Sequence, residues 1–107
     1  MSPRLRIATF NLENLDETSE EEPSLEERIS LMRPQLVRVD ADILCLQEVN
    51  GQREREGSPR RLAALEKLVK DTKYADYEMV STRLADDSEP YDERNLVVLS
   101  RFEIAEY

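Results

Sequence analysis

Two short apolar runs constrain this chain more than any other feature. Ile43-Leu44-Cys45-Leu46-Gln47-Glu48-Val49 and Asn95-Leu96-Val97-Val98-Leu99-Ser100 are short for helices and too apolar for surface loops. Runs of this length, rich in Val, Ile and Leu, read as strands buried on both faces of a sheet, the arrangement found where helices cover the sheet.

The segments between them carry helical periodicity. Ser24 and Glu27 fit a capping box, in which hydroxyl and carboxylate satisfy reciprocal backbone N–H groups. Leu25, Ile29, Met32, Leu36 and Val39 then recur at spacings of four and three, one apolar helix face. Pro34 interrupts that face. It removes one backbone bond and meets the carbonyl of Ser30, so a kink or restart is expected there. Ser58-Pro59 reads as the cap and first turn of a second helix, with Leu62, Leu65, Leu68 and Val69 facing inward. Leu5 to Leu12 reads as a strand with Leu5, Ile7, Thr9 and Asn11 on one face, and Tyr77 to Thr82 as another. Three charged loops punctuate the pattern: Glu13 to Pro23 with its Glu20-Glu21-Glu22 run, Gly51 to Gly57, and Asp86 to Glu93. The order β-α-β-α-β-β argues an α/β layered fold.

Composition narrows the function classes. At 107 residues the chain is the size of one small domain. Its net charge of −9 weighs against non-specific nucleic-acid binding, although a bound divalent ion would bring its own positive charge. Cys45 is the single cysteine, so no intrachain disulfide forms, and with no histidine in the chain to activate a thiolate it reads as a small buried hydrophobe. No apolar stretch approaches the ~20 residues that span a bilayer, and the charged start lacks the apolar core of a signal peptide. The expectation is a cytoplasmic protein that makes no use of a membrane. Met1 followed by a small residue suggests a natural start. The last strong strand lies seven residues before Tyr107 with no closing element after it, so a truncation is expected at that end.

Two polar residues stand where chemistry is expected. Asn11 lies at the end of the first strand and Glu48 at the end of the second, and ligand sites of open α/β sheets gather at the carboxyl ends of strands. A carboxylate is the hard oxygen ligand that Mg²⁺ prefers, and an amide beside it can orient a phosphate oxygen or a metal-bound water. Satisfied polar strand ends are the alternative.

These residues also carry a resemblance. Arg6-Ile7-Ala8-Thr9-Phe10-Asn11-Leu12 resembles the first strand of the endonuclease/exonuclease/phosphatase family. Asp42-Ile43-Leu44-Cys45-Leu46-Gln47-Glu48-Val49 is similar to its second motif, and Asn95-Leu96-Val97-Val98-Leu99-Ser100-Arg101-Phe102 to a later strand, usually written with glycine near its start. The three occur in the family's order and span nearly the whole chain. The resemblance implies the N-terminal half of a four-layer α/β sandwich, two face-to-face sheets flanked by helices, with residues 1–107 as a partial domain. It implies Mg²⁺- or Mn²⁺-dependent hydrolysis of a phosphoester by activated water, with Glu48 as metal ligand and Asn11 at the metal and phosphate site. The family completes its site with an aspartate–asparagine and an aspartate–histidine pair in its second half. This chain has no histidine and is about half the family's usual length, so it is expected to be inactive alone.

Arg94 and Asn95 are the remaining substrate-binding candidates, at the rim where the late strand begins. Arg94 could hold a phosphate through its planar guanidinium, or be a solvated loop arginine paired with Asp92. Arg53, Arg55, Arg60 and Arg61 could line a phosphate-facing loop, or, interleaved with Glu54 and Glu56, form a mixed-charge surface. The expected partners are a phosphoester substrate (nucleic acid or small phosphodiester) and the remaining half of the domain or a second chain. The other functional reading is a non-catalytic binding or structural half-domain that associates through its open sheet face, with a homo-oligomer as one outcome.

Overall fold

In the computed structural model, described over residues 4–16, 24–53, 56–84, 89–91 and 94–105, four strands and two α-helices follow the alternation of the sequence. They are β1 (Ile7–Leu15), α1 (Leu25–Val39), β2 (Ile43–Val49), α2 (Ala63–Val69), β3 (Glu78–Ser81) and β4 (Asn95–Ser100), with a short 3-10 turn at Lys73–Asp76. The sheet order is β1-β2-β4-β3. β1 and β2 run parallel across the α1 crossover; β4 is antiparallel to both β2 and β3. The result is an α/β domain with a mixed sheet.

Strand alternation decides where the core sits. Leu12, Leu15, Leu44, Leu46, Val49, Val97 and Leu99 project to the side covered by α1 and α2, where they meet Leu25, Ile29, Leu36, Leu62, Leu65 and Leu68. Both helical faces therefore bury the residues their periodicity marked. The opposite face differs from the expectation of strands covered on both sides. Ile7 and Leu96 are 59% and 60% exposed, and Cys45 and Val98, directly paired across β2 and β4, are only half-buried. Cys45 is a free thiol on this open face, not a core residue. The layering seen is one sheet and one helix layer.

The ends of the helices depart from the local signals. Ser24 Oγ accepts the Glu27 N–H at 3.2 Å, half of the expected capping box. Helix α1 runs through Pro34 without a restart, because Ile29 and Leu36 are anchored in the core on either side of it. From α1, Arg33 reaches the carbonyls of Leu68 and Lys67, satisfying groups that the end of α2 leaves open. Helix α2 starts at Ala63 and not at the Ser58-Pro59 signal. The segment ahead of it is held in an isolated bridge between Arg61 and Gln52. Gln52 Oε1 then accepts the Ala64 N–H at 3.0 Å, supplying the cap from a distant element.

At the amino end of the parallel strands the sheet is clamped by charge. Asp42 accepts the Arg6 N–H and the Arg101 guanidinium, and Asp40 pairs with Lys73. The buried Tyr74 hydroxyl donates to the Leu36 carbonyl and accepts the Ala41 N–H, fixing the turn from α1 into β2.

Candidate functional site

The carboxyl ends of β1 and β2 lie side by side, and each carries an irregularity. In β2, Leu46 and Val49 both pack into the core although they are three residues apart. Simple alternation would put Glu48 on the same face as Leu46, inside the core. A register shift against β4 absorbs the extra residue, with Glu48 at φ 58°, and leaves its carboxylate half-buried outside the apolar cluster. β1 repeats the device. Leu12 and Leu15 are both buried, the register against β2 shifts between Asn11 and Leu15, and Glu13 adopts φ 48°. Arg94, at the mouth of β4, has φ 58°. Left-handed backbone costs a non-glycine residue roughly 1–3 kcal/mol and gathers at functional sites. Here three such residues meet at one end of one sheet.

Asn11 thus precedes a bulge within β1; the strand continues to Leu15. Its side chain is exposed, and its Oδ1 accepts the Glu13 N–H at 2.8 Å, which stabilises that bulge. Asn11 pairs with Gln47, the residue before Glu48, so the two candidates occupy neighbouring strands at nearly the same level. A cleft of about 300 Å³ opens from Asn11 and Glu13 toward Arg28 on α1, over a floor that includes Phe10, Leu12 and Met32; neither Glu48 nor Arg94 lines it.

The other candidates separate. Arg94 is exposed at the rim; its proposed partner Asp92 lies outside the described residues, as do Glu54, Arg55, Asp86 and the Glu20-Glu21-Glu22 run. Asn95, considered for substrate binding, is 0% exposed. Its Nδ2 donates to the carbonyls of Val49 and Tyr91, and its Oδ1 accepts the Tyr91 N–H. Among the described residues every bond of that amide goes to backbone, so Asn95 ties the start of β4 to its neighbours and offers no free group to a ligand.

A polar network at the same end went unread in the sequence. Asp16, which closes β1, accepts Asn50 Nδ2 at 2.9 Å and Gln52 Nε2 at 3.1 Å. Asn50 Oδ1 accepts the Arg94 N–H at 2.8 Å. Two nearly buried amides thus tie the ends of β1, β2 and β4 together. Their only sequence signal was position directly after a strand end, and Asp16 was hidden in an acidic stretch. Gly51 sits between them because a Cβ there would lie 2.6 Å from the Tyr91 carbonyl oxygen.

Among the described residues no group of three or more His, Cys, Asp or Glu side chains converges as a metal cage. A carboxylate and an amide oxygen are the kinds of donor that a hard cation takes when it keeps much of its water shell. No protein-family model matches the chain, and neither curated proteins nor solved structures gave a match.

Proposed function

We propose that this chain is the N-terminal part of a divalent-metal-dependent phosphoester hydrolase, a member of the family its motifs resemble, whose remaining ligands come from residues beyond it or from another chain. The observation that carries the reading is the pair of adjacent bulges. They bring Leu15 and Val49 into the core and, by the same shift, hold Glu48 out of it on the strand next to Asn11, at the carboxyl edge of the parallel strands. In this reading Glu48 is the anionic ligand of Mg²⁺ or Mn²⁺. Asn11 orients a phosphate oxygen or a bound water through its amide, and Arg94 holds a phosphate oxygen through its guanidinium. Asn95 and Asn50 keep Arg94 at the rim. The metal, when bound, supplies Lewis-acid polarisation of the phosphoryl group. The net charge of −9 weighs against duplex DNA as substrate.

The test is hydrolysis of an aryl phosphodiester with Mg²⁺ or Mn²⁺ by the longest open reading frame containing this sequence. Glu48→Gln is expected to lower turnover at least ~100-fold, more than loss of an outer-shell partner does, with an unchanged melting temperature. Full activity in that variant would refute the assignment.

A second reading has its own observation. The open face with Ile7, Cys45, Val98 and Leu96 suits a non-catalytic half-domain that covers this face by association, either with the complementary half of a sandwich or with a second copy. A stop codon directly after Tyr107 together with a dimer in light scattering favours it. A downstream aspartate–histidine motif favours the hydrolase.

A further inference from the structure

A second cleft, of about 400 Å³, opens on the α2 side of the strand-end network. Its wall includes Gln52, Arg53, Arg61, Glu66, Lys67 and Lys70, four cations against one carboxylate in a chain whose net charge is −9. Positive charge is thus concentrated in a concavity while the chain as a whole is acidic. The Arg61–Glu66 pair, at 2.9 Å, is exposed on both sides, and Arg53 stands 3.7 Å from Glu89. Exposed pairs of this kind contribute little and yield to a doubly charged phosphate, which offers more acceptor oxygens to the guanidinium fork. Gln52 joins this cleft to the candidate site: it lines the wall while its amide bonds Asp16, the residue that also holds Asn50 and, through it, the Arg94 backbone.

We infer that this basic cleft binds a phosphate group of a small, multiply phosphorylated ligand. In the hydrolase reading, on which this role rests, that phosphate is a second one, away from the scissile ester. A cleft of this size suits a small molecule, and the acidic remainder of the surface repels a long polyanion.

The probe is inorganic pyrophosphate, titrated without divalent metal and followed by backbone amide resonances of the full chain. Saturable shifts are expected at Gln52, Ala63, Lys67 and Lys70, weakening as salt is added. Lys67→Glu/Lys70→Glu should weaken binding at least about tenfold. Lys70→Glu alone, at an exposed position just after α2, should weaken it in the same direction with an unchanged melting curve. Absence of saturation, shifts centred elsewhere, or equal affinity in a folded variant would overturn the assignment, as would tighter binding of a single-stranded oligonucleotide than of pyrophosphate. Because no metal is present, the outcome is separate from catalysis. Pyrophosphate binding without hydrolysis in the longer protein refutes the reaction and leaves the cleft; hydrolysis without pyrophosphate binding refutes the cleft.

Discussion

Asn50 donates through Nδ2 to Asp16 Oδ2 at 2.9 Å, joining the first residue after β1 to the first residue after β2. The other end of the same amide accepts the Arg94 N–H. Replacing Asn50 by Ala removes both part-buried contacts at once, a loss of about 1–3 kcal/mol. Urea unfolding should show that drop, and hydrogen exchange at the Arg94 amide should accelerate. Unchanged Arg94 exchange in a folded Asn50→Ala protein would mean that the rim is held by other contacts.

Gly51 and Gly57 should respond differently to alanine. At Gly51 the added methyl meets the Tyr91 carbonyl at 2.6 Å, so two loops must separate, at a cost of about 1–3 kcal/mol and with shifted resonances at Tyr91 and Asn95. Gly57 has open space around it and a φ of +86°, so alanine there pays only for backbone conformation, on the order of 1 kcal/mol, without long-range shifts. Thermal melts and amide spectra of the two variants separate these causes.

The amino end of the sheet contributes an acid-sensitive part of the stability. The Arg6 N–H and then the Arg101 guanidinium hold the Asp42 carboxyl below its ordinary value of 3.8, and the bond from Lys73 does the same for Asp40. A carboxylate lowered in the folded state contributes stability above its unfolded pKa, and that contribution is lost as pH falls through the folded value. The urea midpoint should therefore be flat down to about pH 4 in this respect and decline below it. Asp42→Asn should start lower and show a shallower decline. An equally steep acid limb in Asp42→Asn would assign the acid sensitivity to other carboxylates.

How much of this was legible in the sequence depends on range. The inner faces of α1 and α2 were readable because a period of 3.6 is written locally, as Leu25, Ile29 and Leu36 show. The open sheet face was readable only through the family resemblance, whose second sheet this chain lacks, and not from the strands themselves. Ile43, Cys45, Leu96 and Val98 are as apolar as residues beneath a second layer, and one-sided coverage leaves no mark on the run itself. The bulges escaped for a related reason: the spacing of Leu12 to Leu15 and of Leu46 to Val49 shows a skipped residue only once the partner register is known. The start of α2 was misplaced because its cap comes from Gln52 and not from the residues before it. Asn95 looked like a site residue because it opens a strand beside the rim, and only the fold shows its amide occupied by the Val49 and Tyr91 backbone.

In the proposed site Glu48, on the strand next to Asn11, is the divalent-metal ligand. Paramagnetic broadening by Mn²⁺, titrated into the chain and read residue by residue, tests it most directly. The expected result is early, selective loss of amide signals around Asn11 to Glu13 and Gln47 to Val49, competed by Mg²⁺ and abolished by Glu48→Gln, while broadening at other acidic segments persists in that variant. Broadening of these same amides that survives Glu48→Gln, or broadening confined to other acidic segments, would contradict it.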